Sequence, residues 1–231
     1  MKAINAIFIK QSKDMLRNIS VLAMFVVFPL VALALESLIY LPADTPGMPG
    51  GAFVPMMVAM FLGLGLMMSV ASIISEDREN NSLRFLIIAG VKPMSYLLGI
   101  GGVVFVAGII TSGAFGLIGN IRGSHWIPFM ATMLSAALAS IFLGAIVGLL
   151  SKNVQAATGL SMPIGMALGL LPMAAGFNDT VARFAEFIFT QQVSLIISDP
   201  AASVARPLTI IWANVAVLAI VFAVVYAKRG K

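Results

Sequence analysis

From Trp126 to Leu150 the sequence contains not one charged residue. About 20 consecutive apolar residues, rising 1.5 Å each, are enough to carry a helix through a hydrocarbon core roughly 30 Å thick. Runs of comparable length recur at about 19–39, 53–74, 94–118, 156–175 and 207–226, and within all of them the only charged residue is Glu36. A bilayer core has no water to satisfy exposed amides, so each run must close its own hydrogen bonds as a helix. The whole chain agrees: 60% of its 231 residues are hydrophobic and 10% charged, against about 25% charged in ordinary soluble domains. Its mean hydropathy is +1.04. The expectation is an all-α polytopic membrane protein with six crossings, built as a single transmembrane domain over residues 1–231.

The connections are as informative as the spans. Residues 2–17 place Lys10, Lys13 and Arg17 at helical spacing, with Ile4, Ile7, Phe8 and Met15 nearer the other side. That is the pattern of an amphipathic elbow helix lying among headgroups, and it does not resemble a cleavable signal peptide. Turn residues cluster at 41–47, and Trp126 is placed to anchor the fourth crossing at an interface. The fifth crossing carries Pro163 and Pro172, tolerable where neighbours satisfy the carbonyls that proline leaves unpaired. Between the fifth and sixth crossings, Thr180 to Ser198 is apolar enough to touch membrane yet holds Arg183, Glu186, Gln191 and Gln192. It reads as a surface or re-entrant helix.

Lys and Arg are retained on the cytoplasmic side of short loops. With both termini inside, eleven basic residues fall on the inner face and three, Arg122, Arg183 and Arg206, on the outer. This orientation is the expected one, in a plasma membrane. The net charge of +5 is dispersed in short clusters beside apolar runs, which suits anionic lipid better than nucleic acid. With no cysteine there is no disulfide framework and no thiolate metal site.

The second crossing ends in Ser75-Glu76-Asp77-Arg78-Glu79-Asn80-Asn81, the most densely charged segment of the chain. Asn81 or Ser82 can cap a short helix whose body is residues 83–89, with Gly90 and Pro93 as the stop. A loop that merely returned the chain to the membrane would need only a few polar residues. An acidic and basic cluster followed by a capped amphipathic turn has the makings of a docking element for a soluble partner.

With its elbow helix, Pro29 in the first crossing and this motif after the second, the chain resembles the membrane-spanning permeases of ABC type-2 exporters. The family pattern is acidic-x-Arg/Lys-acidic-x-Gly/Asn-Thr/Ser-Leu with a small-residue and proline ending, matched by Glu76, Arg78, Glu79, Asn81, Ser82, Leu83 and Pro93. Asn81 stands where glycine is commoner, a mild departure because asparagine tolerates left-handed backbone and caps helices. The resemblance implies a permease that pairs with a second permease, as homodimer or heterodimer. It further implies an ATP-binding cassette subunit that docks on a coupling helix formed by Glu76, Asp77, Arg78, Glu79, Asn81, Ser82 and Arg84. ATP and Mg would be bound by that partner and no cofactor by this chain, in keeping with the lack of a Gly-x-x-x-x-Gly-Lys-Ser/Thr loop. Membrane lipid is the remaining expected partner.

Glu36, near the outer end of the first crossing, is a candidate for the translocation pathway, or else reaches the headgroups. Met56, Met60 and Met67 lie near one face of the second crossing and are pathway candidates through their adaptable thioethers, or ordinary packing. Gly144 and Gly148, and Gly165 and Gly169, form two small-xxx-small pairs that allow close helix approach, within one bundle or else at a dimer seam. His125, the only histidine, sits in an outer loop and reads as interfacial. No zinc-helix motif or Ser with a His or Lys partner occurs inside a crossing, which argues against an intramembrane enzyme. A channel or scaffold without an ATPase accounts for the spans but leaves the charged cytoplasmic motif unexplained.

Because the chain lacks cysteine, its topology is directly testable. Single substitutions Lys13→Cys, Lys152→Cys and Lys228→Cys should react with an impermeant maleimide only from the cytoplasmic side, and Ser124→Cys and Ala201→Cys only from outside. Labelling of Lys152→Cys from outside would reverse or break the assignment.

Overall fold

The computed structural model describes residues 2–38, 53–80, 82, 85, 88 and 93–229. The expected turn at 41–47, and Asn81, Leu83, Arg84 and Gly90, lie outside them. Among the described residues the chain is almost wholly helical, without strands. The helices are α1 (Lys2–Arg17), α2 (Ile19–Leu38), α3 (Phe53–Glu79), α4 (Pro93–Ile118), α5 (Trp126–Leu150), α6 (Val154–Phe177), α7 (Asp179–Ala185), α8 (Phe189–Ser198) and α9 (Ala205–Arg229). Six of them, α2 to α6 and α9, are long and apolar enough to cross a membrane. The protein is a multi-pass membrane protein.

Two boundaries depart from the sequence reading. The second crossing, expected to stop at Ile74, continues as helix through Glu79, because nothing in Ser75-Glu76-Asp77-Arg78-Glu79 breaks a helix and all of these polar side chains except Glu76 find a partner among the described residues. The connection before α9 holds two helices, α7 and α8, separated by a turn at 186–188. Asn178 Oδ1 caps α7 by accepting from the amides of Thr180 (2.9 Å) and Val181 (3.2 Å). The buried face of α8, which includes Phe189, Val193 and Ile197, packs among α3, α5, α6 and α9.

The bundle is organised around α3 and α5. Of the residues in their apolar windows, 78% and 72% are buried, against 17% in each of α6 and α9. Glycine makes the central seam. A Cβ on Gly144 would strike the Met67 carbonyl, and one on Gly148 would come within 2.8 Å of Ile74 Cβ and 2.9 Å of the Ala71 oxygen. Gly165 and Gly169 do the same for α6 against Leu64 and Met60 of α3, each with a Cα 2.8 Å from the added atom. Both glycine pairs therefore seat neighbouring helices on α3 within one bundle, as small-xxx-small faces do where no hydrophobic effect drives helices together.

At this crossing α3 takes a π-helical turn, Phe61–Leu66. Phe61 is wholly buried there, and its ring lies 5.7 Å from those of Phe25 and Phe115 and 6.3 Å from that of Phe28. These edge and tilted contacts knit α2, α3 and α4.

Two prolines inside helices have their cost met by hydroxyls. Proline has no N–H, so the carbonyl four residues earlier loses its donor. For Pro29 that carbonyl is Phe25, which accepts from Thr111 Oγ1 of α4 at 3.3 Å. For Pro172 it is Leu168, which accepts from Thr190 Oγ1 of α8 at 2.8 Å. Thr190 is fully buried, so the second bond has no water to replace it.

The expected consequence is non-additive. Thr190→Val, isosteric but without a donor, should destabilise the protein by about 1–3 kcal/mol by orphaning a buried carbonyl. Adding Pro172→Ala should recover most of that loss, because alanine restores a backbone amide that can pair with the Leu168 carbonyl. Thermal unfolding of the four members of the cycle in one detergent checks this, and additive losses would contradict the pairing.

Candidate functional site

The last turn of α3 carries four successive charged residues, and about 100° of rotation per residue sends them in different directions. Asp77 turns inward and is 8% exposed. Its Oδ2 accepts from the Tyr96 hydroxyl of α4 at 2.8 Å and its Oδ1 from Lys10 Nζ of α1 at 3.2 Å. Lys10 also lies 3.8 Å from Asp14 one turn along α1. A carboxylate taken out of water is tolerable when it has both a counter-charge and a further donor, and Asp77 has one of each. It fastens the elbow helix and α4 to α3.

Arg78 points toward the end of α5. Its Nη1 donates to the Leu149 carbonyl and to the Ser151 carbonyl, the latter at 2.6 Å. These belong to the last carbonyls of a helix, which have no partner inside it, and a cation there also opposes the helix dipole. Glu79 turns to the start of α6, where its Oε2 accepts from the Val154 amide at 3.2 Å. Asn153 Oδ1 takes the Ala156 amide at 2.8 Å, so α6 begins on a carboxylate and a side-chain cap together. Asp77, Arg78 and Glu79 thus bind α3 to α1, α4, α5 and α6.

Among the described residues Glu76 has no such engagement: its side chain is exposed and borders a cavity against α1. Beyond Asn80, the residues Ser82, Phe85 and Ile88 are helical. A spacing of three puts them along one face. Phe85 is 70% and Ile88 74% exposed, an apolar pair at the end of the bundle that also holds the charged cluster.

The predicted docking residues therefore separate into two groups. Asp77, Arg78 and Glu79 are spent on contacts within the chain, whereas Glu76, Phe85 and Ile88 face outward and Ser82 is half-buried. Asn81 and Arg84 lie outside the described residues. Sequence reasoning missed Lys10 and Tyr96 as partners of Asp77. Tyr96 carried a weak signal, since a tyrosine three residues into α4 brings a hydroxyl to the level of the charged turn.

At the opposite end Glu36 accepts from the Val54 amide at 3.2 Å. From 18 residues earlier in the chain it supplies the carboxylate that the first turn of α3 lacks. Met60 packs on Gly169, Met67 is fully buried beside Gly144, and Met56 is half-buried against the core. The structure brings Met60 and Met67 into the glycine seams and does not bring Glu36 to them. His125 Nδ1 lies 2.8 Å from the Pro200 carbonyl, and Arg206 of α9 pairs with Glu186 of the turn after α7 at 2.8 Å, so polar contacts tie the connections at this end together.

Removing the Tyr96 hydroxyl leaves a buried carboxylate oxygen short of a donor. Tyr96→Phe should cost about 1–3 kcal/mol. Lys10→Met should cost less because Lys10 is 55% exposed and its pair is screened, and Glu76→Gln should leave the melting temperature essentially unchanged. Thermal unfolding in detergent checks the order, and equal effects at Glu76 and Tyr96 would contradict it.

Comparison with known proteins bears on what this arrangement serves. None of the curated proteins matches the sequence. The model of one family, described as ABC-2 family transporter protein, matches residues 38–227.

Proposed function

The chain belongs to the ABC-2 transporter family, as a membrane-spanning subunit of an ABC transporter, and from that premise we propose that it is the permease of an ATP-driven exporter. ATP is hydrolysed in a separate cassette subunit that docks at the charged end of α3, on the cytoplasmic side. The observation that carries this reading is the outward-facing set Glu76, Phe85 and Ile88. Two apolar side chains exposed on one helical face, a few residues beyond an exposed carboxylate in sequence, are of the kind a folded partner covers.

The inward-facing residues supply the other half of the mechanism. A partner that pushes on the turn after α3 pushes on a residue run fastened by Asp77, Arg78 and Glu79 to four further helices. The load is therefore shared by the bundle and moves it between inward-facing and outward-facing states. The weakly buried α6 and α9 leave apolar faces available to lipid and to a second permease subunit. The cargo is amphipathic or apolar, a peptide, lipid-linked molecule or drug, since fixed charges inside the spans are scarce.

The test separates the two groups. The triple variant Glu76→Lys, Phe85→Ser, Ile88→Ser should abolish co-purification of a cassette ATPase from native membranes while leaving the melting temperature unchanged. Retention of the ATPase by the triple variant would overturn the docking surface, and recovery of the unaltered chain with no ATPase would favour a channel or scaffold.

A further inference from the structure

At the elbow between α1 and α2 a cavity of about 420 Å³ opens against α3. That volume lies within the range of small-ligand clefts. Its polar lining is Gln11, Asp14, Arg17, Asn18 and Glu76, and its charges are not consumed internally. Arg17 and Glu76 form no ion pair or side-chain hydrogen bond among the described residues, and Asp14 is held only by Lys10 at 3.8 Å. Gln11 decides the matter. It is 6% exposed, borders the cavity, and its amide has no hydrogen-bond partner among the described residues. Among the described residues the side-chain atoms sealed from solvent without a partner are Ser161 Oγ and Gln191 Oε1; the Gln11 amide is not one of them and stays accessible through the cavity, where a ligand can reach it.

We propose that this cavity binds the headgroup of a phospholipid bearing a primary ammonium and a phosphodiester, an aminophospholipid of the leaflet at the charged end. The complementarity is specific. Arg17 offers a guanidinium fork to the phosphate, and Glu76, with Asp14 beside it, accepts from the ammonium. Gln11 can serve either group through its N–H₂ or its oxygen. A headgroup with negative charge alone meets two carboxylates, and a trimethylated one has no N–H to donate. The setting is also that of a lipid: α1 is amphipathic, with Ile7, Gln11 and Met15 inward and Leu16 69% exposed, while Ile19, which lines the cavity, is 80% exposed and offers an apolar surface to acyl chains. The inference rests on placement of the chain in a membrane and not on the cassette partner.

The full chain, purified in detergent without any ATPase, is offered equimolar phosphatidylethanolamine, phosphatidylcholine and phosphatidylglycerol and examined by native mass spectrometry. Phosphatidylethanolamine should be retained roughly tenfold over the other two, the worth of one charge-assisted hydrogen bond. Gln11→Leu should abolish the preference without lowering the melting temperature, since it removes an unpartnered amide. Arg17→Gln, at an exposed position where misfolding is not expected, should abolish it independently. Equal retention of the three lipids, or an undiminished preference in Gln11→Leu or Arg17→Gln, would overturn the proposal. Equally tight binding of glycerophosphoethanolamine, which lacks acyl chains, would replace the lipid by a soluble phosphoamine. Because no ATPase is present, failure here leaves the exporter reading standing, whereas a lipid held on Glu76 leaves the docking surface to Phe85 and Ile88.

Discussion

Water is absent from a bilayer core, and most of this structure follows from the need to satisfy every backbone polar group without it. Helices do so along their lengths but not at their ends or at prolines. The side chains placed at those points are what join one helix to the next. Thr111 and Thr190 answer the carbonyls released by Pro29 and Pro172. Arg78 answers the end of α5, and Glu79 and Asn153 the beginning of α6. Glu36 answers the beginning of α3. Tertiary polar contacts in this protein are largely repairs to secondary structure, and for that reason they fall between helices rather than within them.

The same need explains what could be read from the sequence. The six spans were legible because apolar length is a local property, and the fourth, Trp126 to Leu150, matches its helix end for end. Close approach at Gly144, Gly148, Gly165 and Gly169 was legible from spacing, but not that α3 is the helix approached in both cases, since a glycine pair says nothing of its partner. Proline tolerance was foreseeable in kind and its agents were not: nothing local marks Thr190 as the donor to a residue 22 positions away. The π-helical turn at Phe61–Leu66 has no signature in apolar periodicity.

At the charged segment local reading went furthest and stopped soonest. Composition identified residues 76–79 as unusual, and the resemblance assigned them to one surface. Folding assigned them to several, because consecutive helical residues cannot face the same way. Buried Asp77 and exposed Glu76 differ only in which neighbours α1 and α4 bring near them. Lys10 is 67 residues away in sequence from the carboxylate it serves.

The glycine seams have one further mechanical consequence. α3 is held at its start by Glu36, at its middle by glycines of two flanking helices and at its end by Asp77, Arg78 and Glu79. The helices that meet α3 through glycine, α5 and α6, are the same ones that Arg78 and Glu79 hold at its end, so each is joined to α3 at two levels. A displacement at the charged end is therefore carried by three helices together along the length of α3. The α3 rod is 27 residues long, about 40 Å at helical rise, and the π turn beside the Gly165 and Gly169 contacts is the one place along it where the backbone leaves regular α-helical register.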